Sequence, residues 1–171
     1  MVFVGPACSG KSTLAARLSV ARGIPHLEMD TTRARILPDS SHSRADRAVA
    51  YRAMHFAAEM LLRSGAGVIL DAPYGHPEDR AEIEEIARRT GASMFVIECR
   101  VSPATAVRRF RARGPDSIRL DLTGERVEQI VRSFSYSGRG LLLETDTMGV
   151  EQCLSRVEAY LASGPALTRL E

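Results

Sequence analysis

Asparagine is absent from all 171 residues, and lysine occurs once, at position 11, against 22 arginines. Without asparagine the Asn-Lys-x-Asp motif that reads a guanine base cannot be present. The three cysteines, Cys8, Cys99 and Cys153, are odd in number and scattered, with no C-x-x-C pair, which argues against both a disulfide frame and a zinc site. The four histidines show no metal-binding spacing either. Only nine aromatic residues are present, few for a surface on which successive bases would stack. No apolar run approaches the ~18 residues of a membrane-spanning helix. No leader-like segment stands before the first strand, so a cytoplasmic location with no membrane contact is expected. Internal repeats and low-complexity tracts are missing as well.

What is present describes one globular domain. The length suits a single α/β core, and 44% hydrophobic with 26% charged residues is the composition of a folded soluble chain. The formal charge is only +2, but it is unevenly spread. Residues 100–139 carry nine arginines against four acids, while 76–99 and 140–171 are each net acidic. A basic segment of that length fits an anion-binding lid better than a general nucleic-acid surface.

The sole lysine lies in Gly5-Pro6-Ala7-Cys8-Ser9-Gly10-Lys11-Ser12-Thr13. This is G-x-x-x-x-G-K-[ST], the loop that cradles nucleoside triphosphate phosphates. Its surroundings suit it: residues 1–4 read as a short apolar strand, and Leu14, Ala15, Ala16 and Leu18 open a helix. Glycines let the backbone close around a polyanion, and backbone N–H groups with the helix N-terminus point at it. Lys11 would meet the β/γ-phosphates, and the Ser12 hydroxyl would meet Mg²⁺. Cys8 reads as a small filler, or as a thiol whose pKa the helix terminus lowers.

Further along, strands and helices alternate. Helices are expected at about 11–22, 32–37, 44–64, 77–90, 103–114, 123–135 and 150–162, and strands at 26–29, 68–70, 93–99 and 141–143. Five strands interleaved with helices predict a parallel sheet covered on both faces. Val49, Met54, Phe56, Met60 and Leu61 mark the expected inner face of the long helix. The domain is expected over 1–162, with a lid at about 108–122 and a loose tail at 163–171.

In such sheets ligands bind beyond the carboxyl ends of the strands. Asp30 is expected there, at the end of strand two, where it would accept the proton of an attacking hydroxyl or cap the following helix. Arg33 shares its helical face at i, i+3. Asp71 closes Val-Ile-Leu in Walker-B form, to hold Mg²⁺ through water, to orient the substrate side, or simply to cap a turn. In Val107-Arg108-Arg109-Phe110-Arg111-Ala112-Arg113-Gly114, Arg109 and Arg113 fall on one face, as an arginine finger in cis requires, and Phe110 would pin the lid to the core. Arg44, Arg47 and Arg52 on the long helix could meet an anionic substrate, but as isolated positions they are read as surface, and His42 and His76 are weak candidates near the substrate side.

Taken together, the phosphate loop, Asp30-x-x-Arg33, Val-Ile-Leu-Asp71 with Arg80 following, and Arg108-Arg109 through Arg113 resemble the AAA-like small P-loop kinases. That group includes polynucleotide kinase domains, zeta-toxin kinases and chloramphenicol phosphotransferases. The resemblance implies a three-layer α/β fold with a five-stranded parallel sheet and a helical arginine lid. It also implies Asp30 as general base, Arg33 as an acceptor-binding arginine, and Arg109 as the lid arginine on the ATP phosphates. Asp71-Ala72-Pro73-Tyr74 departs from the Asp-[Ala/Thr]-[Thr/Asn] usual after strand three. The expected function is transfer of the γ-phosphate of ATP, with Mg²⁺, to a hydroxyl of a small molecule. A polynucleotide 5′-hydroxyl kinase comes second and a nucleotide-binding regulatory NTPase third. A nucleoside-monophosphate kinase is disfavoured, because a phosphate acceptor calls for arginines and not for a carboxylate base.

Overall fold

The first strand sets the layers. In β1 (Val2–Val4) all three residues are buried, and alternation sends Val2 and Val4 to one face and Phe3 to the other. A strand apolar on both faces must lie inside a sheet, and β1 does. The computed structural model, which describes residues 1–113, 119–164 and 166, has β1 paired with β3 (Ile69–Asp71) and β4 (Val96–Arg100). With β2 (His26–Glu28) and β5 (Leu141–Glu144) outside them, the five parallel strands run β2-β3-β1-β4-β5.

Helices cover both faces, giving the expected three-layer α/β fold. On the Phe3 side, α1 (Lys11–Arg22) and α7 (Val150–Ser163) bury Leu14, Leu18, Cys153 and Val157 against Ile69, Ile97 and Leu143. On the other side, α3 (Arg44–Arg63) and α4 (Pro77–Thr90) pack Tyr51, Met54, Ile83 and Ile86 against Val2, Val4 and Leu70. A third cluster forms where α5 (Pro103–Ala112) and α6 (Gly124–Arg132) meet. Val101, Ala106, Leu122 and Val127 are buried there, with Phe110, Ala7 and Cys8 packed against them. Phe110 therefore ties the basic segment to the phosphate loop.

Helix starts follow local chemistry. Ser43 and Asp46 form a capping box on α3. Ser102 and Thr123 accept N–H groups of Thr105 and Arg126. Proline stands at the start of α4, with Glu78 and Asp79 in its first turn.

Several boundaries differ from the sequence reading. Strand two ends at Glu28, and α2 (Met29–Ile36) starts at once, with Glu28 as its N-cap. Asp30 thus stands in the first turn of a helix and is neither its cap nor the end of a strand. β4 begins at Val96, later than expected, and α6 stops at Arg132. On α3 the inward face is Ala50, Tyr51, Met54, His55 and Ala58, while Phe56 and Met60 are 68% and 54% exposed. Two polar-headed residues, Tyr51 and His55, replace them because each finds a partner inside. Of the expected lid, 114–118 (Gly114 included) lies outside the described residues, as does most of the expected tail. Ser163 ends α7, and no described helix is long and apolar enough to cross a membrane.

Candidate active site

The phosphate loop joins β1 to α1 at the carboxyl edge of the sheet. Its shape needs left-handed backbone at Cys8 (φ +62°) and at Gly10 (φ +88°), the latter being the N-cap of α1. Such turns aim successive N–H groups into one concavity, an anion nest, at a cost of about 1 kcal/mol for the non-glycine residue. Gly5 is required by space: a Cβ there would lie 2.6 Å from Ser9 Oγ and 2.7 Å from the Cys99 carbonyl oxygen. Its N–H donates to the Pro73 carbonyl at 3.2 Å, tying the loop to the segment after β3. Together Cys8, Gly10, Lys11, Ser12 and Thr13 line a cleft of about 280 Å³.

Beneath that cleft, Lys11 Nζ lies 3.6 Å from Asp71 Oδ1, and His26 Nε2 lies 3.4 Å from Oδ2. The pairing of β1 with β3 produces this, since it sets Asp71 beside Phe3. Burial by itself would raise the Asp71 carboxyl, but the Lys11 charge, then His26 and Ser12, outweigh it and hold the pKa below the usual carboxylate value. Burial likewise works against the Lys11 charge, and Asp71, Asp30 and Glu28 reverse that effect and raise its pKa. Both carboxylate oxygens of Asp71 are buried and have no hydrogen bond among the described residues. Oxygen donors left in that state next to the Ser12 hydroxyl suit a hard divalent cation.

Asp30 faces the same cleft. Its Oδ1 is 3.5 Å from Arg33 Nη2, and its Oδ2 accepts from Arg119 Nη1 at 3.1 Å. Arg119 is bidentate to Asp121, at 2.8 and 3.1 Å, and His42 Nδ1 approaches Asp121 Oδ1 at 3.2 Å. Arg33 is 2% exposed and lines neither cavity, and its guanidinium lies behind Asp30. Arg119, which faces the cleft, was not singled out from the sequence. Its partner Asp30 is 89 residues away, and its only local signal was the basic stretch around it.

Arg109 and Arg113 both line the phosphate cleft. The Arg109 guanidinium donates to the Cys8 carbonyl at 3.2 Å and to Thr145 Oγ1 at 3.1 Å, and it also reaches the Thr145 carbonyl. It clasps the phosphate loop to the segment after β5. Arg108 donates to Thr105 Oγ1, within its own helix. Burial pushes the Cys8 thiol pKa up, and the nearby Arg113, Lys11 and Arg109 charges do not reverse this. Its packing against the third cluster fits the filler reading.

A second cavity, of about 310 Å³, adjoins the first, and Ala7, Pro73 and Arg119 line both. Its floor is Met29 and Tyr51, and its walls come from α3, α6 and the segment around Phe134. Arg44 and Arg47, read as surface from the sequence, line it together with Arg126 and His76, whereas Arg52 is exposed elsewhere. The wall between the cavities is held by a buried polar chain. Tyr74 adopts a left-handed backbone (φ +51°), its N–H donates to Tyr51 Oη at 3.0 Å, and its hydroxyl meets His55 Nε2 at 3.0 Å. His55 Nδ1 in turn lies 3.0 Å from Glu82, and Arg80 donates to the Tyr74 carbonyl at 2.8 Å. The unusual Ala72-Pro73-Tyr74 is therefore a framework feature, as is Arg80.

Known proteins share this fold. An adenylate kinase of Synechococcus sp. (strain WH7803) is 29% identical over 182 residues, spanning 95% of this chain and 98% of the relative. Among solved structures, the Mycobacterium tuberculosis APS kinase bound to AMPPNP and APS superposes with a TM-score of 0.73 at 23% identity, over 95% of this chain and 96% of that one. A gluconokinase from Sinorhizobium meliloti 1021 gives 0.71 at 16% identity, over 94% and 90%. The fold is thus that of small P-loop kinases. The AAA domain family model matches residues 1–136, which takes in the phosphate loop, Asp30, Asp71 and Arg109, and the chain belongs to that family.

Proposed function

We propose that this protein is an ATP-dependent phosphotransferase that moves the γ-phosphoryl group to a hydroxyl of a small-molecule acceptor, in the cytoplasm. One observation carries the choice of a hydroxyl: a carboxylate, Asp30, lines the same cleft as Lys11 and pairs with Arg119, which also lines a second cavity large enough for a small molecule. A hydroxyl must lose a proton as it attacks, and a positioned carboxylate takes it. A phosphate acceptor needs no base and would be repelled by Asp30. The name of the Synechococcus relative therefore supports the kinase class more than the adenylate acceptor.

In this reading the nest, Lys11 and the start of α1 hold the triphosphate. Arg109 and Arg113 add positive charge where it builds up on the transferred group. Arg33 and Arg119 aim Asp30. Ser12 and Asp71 would hold Mg²⁺, which when bound neutralises charge between the β- and γ-phosphates. The absence of a guanine motif favours adenine.

The test is Asp30→Asn, assayed for AMPPNP binding and for acceptor-dependent ADP release across metabolites, antibiotics and 5′-hydroxyl oligonucleotides. Nucleotide affinity should stay within about twofold, while transfer falls by about 10²- to 10⁴-fold, the range for loss of a general base. Near-full turnover by the variant would remove Asp30 from the reaction. Preference for the oligonucleotides would move the acceptor to nucleic acid.

A further inference from the structure

The second cavity presents positive charge that the transfer chemistry does not use. Among the described residues, Arg44, Arg47, Arg119 and Arg126 line it, against a single carboxylate, Asp79. Arg119 is committed to Asp30 and Asp121. The other three have weak or neutral partners: Arg47 donates to the His42 carbonyl at 3.0 Å, Arg126 to Gln129 Oε1 at 2.7 Å, and Arg44 reaches the exposed Glu78 only at 3.7 Å. Arg44 and Arg47 come from one turn of α3 and Arg126 from α6, so two separate elements bring guanidinium groups to one opening. Below them the surface is apolar and aromatic, with Tyr51 5% and Met29 1% exposed. The Phe134 ring lies against Gly75, where an added Cβ would be 3.1 Å from it.

Guanidinium groups without carboxylates recognise oxyanions through paired N–H donors. A ring-lined floor takes up a flat or apolar body. We propose that this cavity binds an anionic acceptor: a hydroxyl compound that also carries a phosphate-type oxyanion, held by Arg47 and Arg126 with help from Arg44, its body resting on Tyr51 and Phe134. The word acceptor rests on the kinase reading above, whereas the anion site rests on the cavity alone.

Phenyl phosphate and phenol are suitable probes, since they share a ring and differ in the oxyanion. Each is titrated calorimetrically into the wild type, Lys11→Ala and Arg47→Gln/Arg126→Gln, with circular dichroism checking that the variants fold. Phenyl phosphate should bind at least tenfold tighter than phenol, and within about threefold equally to the wild type and Lys11→Ala. The double glutamine variant should weaken it by at least about tenfold, the scale of a lost charged hydrogen bond. If the double variant does not fold, Arg126→Gln at its exposed position replaces it, with the same direction expected. Three results overturn the proposal: no preference for phenyl phosphate over phenol, unchanged affinity in the glutamine variant, or loss of binding in Lys11→Ala alone, which would put the ion on the phosphate loop. None of these titrations involves phosphoryl transfer, so they can fail while Asp30→Asn succeeds, or the reverse.

Discussion

The two cavities are neighbours, and they are made differently. The phosphate cleft takes its loop side from residues 5–13, and there its shape is a backbone shape: left-handed turns at Cys8 and Gly10, a glycine at 5 with no room for a side chain, and the start of α1, while Asp30, Arg109, Arg113 and Arg119 close its other sides. The second cavity is built from side chains that arrive from α2, α3, α6 and the loops after β3 and α6. A backbone nest binds any polyphosphate and tolerates little change. A pocket of side chains can be re-lined by substitution without disturbing the fold, which is how one scaffold comes to serve different acceptors.

Lys11→Ala should break the first cavity most completely, with ADP formation falling by about 10³-fold or more. It also tests the charge pair beneath. With Lys11 present, the Asp71 pKa is depressed. Asp71 then contributes stability that is present above the ordinary carboxylate pKa of about 3.9 and is lost as pH falls through the folded value. Without Lys11, burial is opposed only by His26 and Ser12, and the carboxyl should move above its ordinary value. The variant should therefore be less stable by about 3 kcal/mol near pH 7.5, and the gap should narrow as acid protonates Asp71. Urea unfolding of both proteins at pH 7.5 and pH 4.5 checks the sign; a gap independent of pH would mean that Lys11 is not what keeps Asp71 ionised.

Arg109→Ala comes next. It removes both a clasp on the Cys8 carbonyl and a charge on the cleft, and kcat should drop by about 10³-fold, the lower end for an arginine that stabilises the transferred group. Arg108→Ala, whose partner among the described residues is Thr105, should change kcat less than about twofold. Equal small losses at both positions would reduce the basic helix to a solvated face.

A last pair of variants separates backbone from side-chain construction directly. Gly5→Ala drives a methyl group into a main-chain carbonyl, so stability should fall by about 2–3 kcal/mol and AMPPNP binding should be lost. Gly75→Ala meets the Phe134 ring, which can turn aside, and should cost about 1 kcal/mol or less while altering acceptor KM alone. Thermal unfolding and nucleotide titration of the two variants suffice; similar losses in both would erase the distinction between the cavities.

The sequence by itself determined the phosphate cleft, the alternation of strands and helices, and through them the three-layer parallel fold. Each is a local matter: a nest is encoded by one short stretch that carries two glycines and a lysine, and a buried strand by its own apolar run. It also placed Asp30 and Arg33 on one helical face, because i, i+3 spacing is a property of any helix. What it could not decide was which partner each charge meets. Asp30 to Arg119, Arg109 to Thr145 and Arg47 to the second cavity depend on how separate segments come together. An arginine on a surface helix and one lining a pocket look alike along the chain. Likewise Tyr51 and His55 displaced Phe56 and Met60 from the inner face of α3, because Tyr74 meets their polar ends there, with Glu82 3.0 Å from His55 Nδ1. Only the tertiary structure brings those partners within hydrogen-bonding distance, and a buried polar group is stable only where such a partner waits.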